Sequence, residues 1–291
     1  MQSIAASTPE YRKAFTWALV LYAAGIDHIM EHRGNQWLLL VAEAAEEKAR
    51  REILVYEDEN RNWPPPKDEA HQELWVQEAT PPTVLFMVAL ISFFQITGPW
   101  TQHSHWFTAG AVHAEKILQH HEWWRIITGL TLHADIVHVV GNTLIGGVFI
   151  HFICKMLGSG TGFSLVFLSG ILGNAINVLI RGDNHLSVGF STAVFGAIGL
   201  LSGLRIRKGY YKPIILPFGA AFALLAILGA EGERTDLGAH LWGLGVGMIL
   251  GFLVVRHKKW FQRIITIKIQ TMLLVALFAM ILASWRIALQ S

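Results

Sequence analysis

Four polar side chains stand inside stretches that are otherwise apolar: His138, Asn142, Ser191 and His240. A serine hydroxyl becomes a nucleophile when a neighbouring base takes its proton, and a neutral imidazole is the usual base near pH 7. Ser191 and His240 would supply that pair. Attack on a carbonyl creates an oxyanion that needs preorganised donors, and the side chains of His138 and Asn142, with the backbone N–H of Ser191, could provide them. Each residue also has a plain structural reading. A serine in a Gly-rich helix commonly bonds a backbone carbonyl or a neighbouring helix, and a membrane histidine or asparagine often serves as interhelical glue.

Depth separates the readings. Counting to the first basic residue at one end of each stretch, Ser191 lies 14 residues before Arg205, His240 16 before Arg256, and His138 and Asn142 17 and 13 before Lys155. At about 1.5 Å per residue these are heights of roughly 21, 24, 25 and 20 Å. All four fall in a band about 5 Å deep within a hydrocarbon core about 30 Å thick. Faces agree with depth. His138 and Asn142 are four apart and share one side of a helix. Gly243, Gly247 and Gly251 follow His240, and Gly199 and Gly203 follow Ser191. Such spacings let helix backbones approach closely, which would bring His240 toward Ser191. Asp135 falls nearer the outer edge on a different helix and no other acid shares the band, so a Ser–His dyad is expected.

The elements that must position these residues are membrane helices. The 291-residue chain is 53% hydrophobic and 15% charged, with a mean hydropathy of +0.41, too apolar for a soluble domain of its size. Seven uncharged or nearly uncharged stretches run Pro81 to Trp100, Ile126 to Cys154 (interrupted by Asp135), Thr161 to Ile180, Leu186 to Leu204, Pro213 to Ala230, Leu237 to Val255 and Ile269 to Trp285. They are continuously apolar, which predicts helical hairpins and excludes a barrel. The N-terminus shows no cleavable signal pattern. Cys154, the single cysteine, reads as an apolar filler, and the net charge of +2 argues against a nucleic-acid partner.

Residues 1–79 differ in kind. Tyr11 to Gly25 reads as an amphipathic helix, Asp27 to Val41 as a hairpin turning at Arg33-Gly34-Asn35, and Ala42 to Asn60 as a charged helix with partners such as Glu46 and Arg50. Trp63-Pro64-Pro65-Pro66 begins a polar linker. A small α/β domain without a chemical motif is expected, a soluble appendage to the helices. Basic residues cluster in the loops after the fourth span (Arg205, Arg207, Lys208, Lys212) and after the sixth (Arg256, Lys258, Lys259, Arg263, Lys268). That side should be cytoplasmic, which puts the N-terminal domain inside and the long loop near residues 101–125 on the outer face, where its tryptophans meet membrane lipid.

Trp123-Trp124-Arg125, Leu132-His133-Ala134-Asp135, His138 to Asn142, Gly189-Phe190-Ser191 with Phe195-Gly196, and His240 with Gly243 and Gly247 together resemble the rhomboid family of intramembrane serine proteases. The resemblance covers about residues 80–255 in order and spacing. It implies a six-helix core, here with a seventh helix within residues 256–291, Ser191 as nucleophile, and His240 as base and then acid. It implies His138 and Asn142 at an oxyanion hole, with Gly189 beside the nucleophile. Trp124 and Arg125 would belong to a structured outer loop, His133 would be structural or water-binding, and a loop near Glu231 to Gly238 would cap the site. Thr192 stands where the family often has glycine. The partners implied are single-span or other transmembrane protein substrates, cut near the outer face of a bacterial plasma membrane. No cofactor or metal is called for, since the histidines form no His-Glu-x-x-His motif. A non-cleaving rhomboid-like protein that binds transmembrane helices is the nearest alternative. A small transporter or channel is the other, and it would spread polar residues through the full membrane depth.

Overall fold

Lipid offers the backbone no hydrogen-bond partner, so each crossing segment must satisfy its own N–H and C=O groups, and continuous apolar runs fold as helices. The computed structural model describes residues 2–61, 80–182, 185–205, 236–263 and 265–291. The fifth expected span, the Pro-rich linker and most of the expected capping loop lie outside the described residues. The chain divides into two compact units, one within Met1–Glu69 and the other within Ala70–Ser291.

The first unit runs β1 (Gln2–Thr8), α1 (Tyr11–Ala23), β2 (His28–Arg33), β3 (Gln36–Ala42) and α2 (Glu46–Glu59). Its antiparallel sheet has the order β1-β3-β2. The expected hairpin is present, with Gly34 at φ 62° in its two-residue turn, as is the Glu46–Arg50 pair at 2.7 Å. Strand β1 is an addition to the expectation. Its small residues carry weak alternation, and it is defined by pairing with the distant β3. Trp17 and Leu21 of α1, Leu39 and Val41 of β3, and Ala49 and Ile53 of α2 close the core.

In the second unit, among the described residues, five helices are long and apolar enough to cross a membrane. They are α3 (Thr83–Thr97, extended by a 3-10 turn at Trp100–Gln102), α7 (Ile136–Leu157), α8 (Ser159–Arg181), α10 (Leu237–Arg256) and α12 (Ile267–Ala288). This is a multi-pass membrane protein. The connection between α3 and α7 folds into α4 (His105–Gly110), β4 (Val112–His113), α5 (Ala114–His120) and α6 (Arg125–Thr128), and the short α11 (Lys258–Arg263) precedes α12.

Two expected spans are corrected. Leu186 to Leu204 is not one spanning helix: Leu186–Ser187 form strand β5, paired with β4, and α9 (Ser191–Leu204) starts at Ser191. Gly189 stops the helix from beginning earlier, because its φ of 134° is non-helical and its N–H donates to Gly129 O at 2.9 Å. The 14 residues of α9 span about 21 Å, short of a core about 30 Å thick, and Ser191 is the first of them. The second span likewise begins at Ile136, and Asp135 starts it instead of interrupting it. Its carboxylate caps the helix by accepting the His138 N–H at 2.8 Å.

Short α9 is the centre of the unit, with every residue except Leu201 buried. Before it, Phe190 packs between Phe86 and Phe167 with ring centroids 5.5 and 5.3 Å away. Against α10 the contact is backbone on backbone. A Cβ added to Gly199 would strike Leu244 O, one on Gly203 Met248 O, one on Gly247 Gly196 O, and one on Gly251 Leu200 O. The expected glycine faces do meet, and only glycine fits at this approach.

Candidate active site

Ser191 and His240 reach each other because each opens its helix. Ser191 is the first residue of α9, and His240 lies one turn into α10, its N–H donating to Asp236 O at 3.0 Å. The α9–α10 glycines draw the two first turns together. Ser191 Oγ and His240 Nε2 are 2.7 Å apart, and both residues are buried. Phe195, one turn after Ser191, stacks on the imidazole with centroids 4.5 Å apart and an interplanar angle of 13°. That stack fixes the ring plane. With the proton on Nδ1, His240 Nε2 accepts the Ser191 O–H, and Nδ1 has no partner among the described residues.

The dyad faces a narrow cleft, whose walls include Gly129, His138, Asn174, Gly189 and Asp236. His138 stands over Gly189, where an added Cβ would lie 2.6 Å from its Cε1. Asn142, one turn further along α7, is fully buried with both amide atoms unpartnered among the described residues, and it does not line the cleft. His133 is buried behind His138, ring edge against ring face at 5.5 Å. At the start of α9, the Ala193 and Val194 N–H groups donate to Phe190 O at 3.0 Å, which leaves the N–H groups of Ser191 and Thr192 as donors beside the hydroxyl.

Arg125 and Trp124 are in the long connection, as the resemblance implies. Buried Arg125 pairs with Glu122 and donates to Ala111 O at 3.1 Å and Thr108 O at 2.9 Å, stapling the chain on either side of Gly110. Trp124 packs in the aromatic cluster around Phe107 and Leu132. Gly243 belongs to the helix contact, since a Cβ there would strike Thr192 O. The Thr192 methyl faces Gly173 of α8 and Gly243 of α10, so the extra bulk of threonine is taken up by two glycines.

An acid does stand beside the site, one turn before His240 and outside the depth band that the four polar residues share. Asp236 lines the cleft, but its carboxylate turns to Ala239 N–H at 3.0 Å, Asn177 Nδ2 at 2.6 Å, His185 and Arg181. Burial works against its charged form, yet the His185 and Ala239 hydrogen bonds and the charges of His185 and Arg181 outweigh that and hold its pKa below the ordinary value. The signal was readable: an Asp directly before an apolar run is a helix N-cap. Asn174 in the cleft wall and Phe195 over the imidazole have no such local signal, because both depend on how α8, α9 and α10 meet.

The family model of the Rhomboid domain matches residues 120–257. The rhomboid protein YdcA of Bacillus subtilis is 34% identical over 145 residues, which cover 47% of this chain and 70% of that protein. RHOMBOID-like protein 6, mitochondrial, of Arabidopsis thaliana is 32% identical over 52% of this chain and 50% of its own length. The rhomboid protease GluP of Bacillus subtilis is 28% identical over 56% of this chain and 32% of its own length. The chain thus spans most of YdcA and half or less of the other two. The matched region holds α7 to α10, the helices that bring Ser191 to His240, and by this likeness in sequence the chain belongs to the rhomboid family.

Proposed function

We propose that this protein is an intramembrane serine endopeptidase in which Ser191 is the nucleophile and His240 the base. The observation that carries the reading is the 2.7 Å contact between Ser191 Oγ and His240 Nε2 at the start of α9. Ser191 Oγ attacks the scissile carbonyl carbon as its proton passes to His240 Nε2. The resulting oxyanion is met by the Ser191 N–H and a ring N–H of His138, with Asn142 behind them. Collapse breaks the C–N bond, and the leaving amine takes the proton from His240. Water then attacks the acyl ester with His240 again as base, and the acid product leaves Ser191 free. Thr192 and the three glycines of α10 hold this geometry without entering it.

A transmembrane helix hides its carbonyls in hydrogen bonds, so the substrate segment must unwind before attack. Substrates are therefore membrane proteins with small or helix-breaking residues near the cut. The positive-inside pattern puts the N-terminal unit in the cytoplasm and the dyad toward the outer leaflet of a bacterial plasma membrane. In this reading residues 80–255 form the proteolytic core, residues 1–79 its cytoplasmic domain and linker, and residues 256–291 an added helix.

The test is cleavage of a single-span model substrate by the purified protein in liposomes. The parent should cut near one membrane face, and Ser191→Ala and His240→Ala should each lose about a thousand-fold or more. A folded parent that cuts none of several helix-destabilised substrates would return the protein to the non-cleaving alternative.

A further inference from the structure

Asp236 anchors four donors, and they come from three separate segments. Asn177 and Arg181 lie on the last turns of α8, His185 immediately precedes β5, and Ala239 is in the first turn of α10. Asn177, His185 and Asp236 are buried. His185 is tied further, since its carbonyl accepts the Ala114 N–H at 2.9 Å where β4 meets α5. Gly238 leaves room for the approach, because a Cβ there would strike Asn177 Oδ1.

Chain geometry gives this cluster its consequence. From His185 the chain runs through β5 and Gly189 to Ser191; from Asp236 it runs one helical turn to His240. The His185–Asp236 pair therefore joins the two segments that deliver the two halves of the dyad, at a point before either residue is reached. Given the proposed protease function, we infer that Asp236 and His185 are a positioning pair that sets the register of His240 against Ser191. The pair pins the segments from the side, while the glycines of α9 and α10 pin them along the helices. Neither carboxylate oxygen bonds the His240 ring, so Asp236 acts through the backbone of α10 and not as the third member of a triad.

The experiment compares Asp236→Ala, Asp236→Asn, His185→Ala and the Asp236→Ala/His185→Ala double variant with the parent in liposomes. Three readouts are taken: kcat and KM for a model substrate, the rate of Ser191 labelling by a fluorophosphonate, and the His240 ¹⁵N shifts in histidine-labelled protein. The shifts are assigned with His240→Gln, and Ser191→Ala reports the lost hydrogen bond. Asp236→Ala should lower kcat and the labelling rate about ten-fold or more with KM nearly unchanged, and should move the His240 shifts toward those of Ser191→Ala. Asp236→Asn keeps an acceptor for the Ala239 N–H and should restore part of the rate. His185→Ala should repeat the Asp236→Ala effect without disturbing the cap, and the double variant should be little worse than either single one. Stably folded Asp236→Ala and His185→Ala variants with parental His240 shifts and rates would overturn the inference. A parent that neither cuts nor labels would instead sink the protease reading, while the ¹⁵N shifts would still report whether the pair sets the Ser191–His240 bond.

Discussion

Helices α10 and α12 are nearly equal in length and mean hydropathy, yet they are held in the fold in different ways. Helix α10 meets α9 through glycines with backbone against backbone, and 39% of its apolar stretch is buried. Only 11% of the apolar stretch of α12 is buried, and it is pegged near its two ends by side chains, with one close backbone approach, at Gly160. Near one end Gln270 exchanges two hydrogen bonds with Thr161, at 2.9 and 2.8 Å. Near the other, Trp285 packs into the space left by Gly110, contacts Phe93 and Trp106, and donates to Thr131 Oγ1 at 3.0 Å. Lipid is as apolar as a helix surface, so burial alone attracts neither helix. Shape and polar contacts must do so. Backbone contact leaves no rotamer freedom and suits a pair that must stay in hydrogen-bond range.

The largest effect should follow from spoiling the backbone contact. Gly247→Val would place side-chain atoms where Gly196 O now lies, and Gly199→Val would do so at Leu244 O. Neither obstacle is a flexible chain end, so the helices must separate, and overpacking of this kind costs about 1–3 kcal/mol, more where backbone cannot give. Serine labelling should vanish in both variants even where far-UV circular dichroism shows the helices retained. If either variant labels at the parental rate, backbone contact is not what sets the dyad.

Trp285→Ala should act in the other sense. Emptying that space costs on the order of 3 kcal/mol of packing, to which the Thr131 bond adds about 0.6 kcal/mol. Thermal unfolding in detergent should shift clearly downward, while Ser191 labelling measured well below the transition falls only a few-fold. Trp285→Phe, which keeps most of the ring and loses the N–H, should recover most of the stability. Abolished labelling in folded Trp285→Ala would erase the contrast and make α12 part of the site.

What the sequence makes legible follows the same division. The spans, the glycine faces, Ser191, His240 and the hairpin of the first unit are local in the chain, written as apolar runs, three- and four-residue spacings and a Gly-Asn turn. The misread features all depend on a distant partner. Helix α9 looks too long because Leu186 and Ser187 are apolar enough for a helix, and only their pairing with Val112 and His113 makes them a strand. Strand β1 needs β3, and the role of Asp236 needs Asn177 and His185. Depth groups Ser191 with His240, whose side chains meet at 2.7 Å, but that Ser191 begins its helix rests on Gly189, whose φ is positive and whose N–H donates to Gly129 O.

The smallest effect should come from the other peg of α12. Gln270→Leu keeps most of the side-chain volume and removes both bonds to Thr161, each worth about 0.6 kcal/mol within a membrane protein. The Thr161 N–H lies in the first turn of α8, where no helical carbonyl precedes it, so its loss of a partner is felt as an unsatisfied donor. The backbone of Gln270 remains against Gly160, where a Cβ would collide with it, so the contact surface survives the loss of the bonds. Unfolding should therefore shift by about 1 kcal/mol with serine labelling unchanged. Gly160→Leu should then cost more than Gln270→Leu, because it pushes on backbone. If the order is reversed, α12 is held at this end by its polar bonds and not by its close approach to α8, and the two modes of attachment differ more sharply than the glycines alone imply.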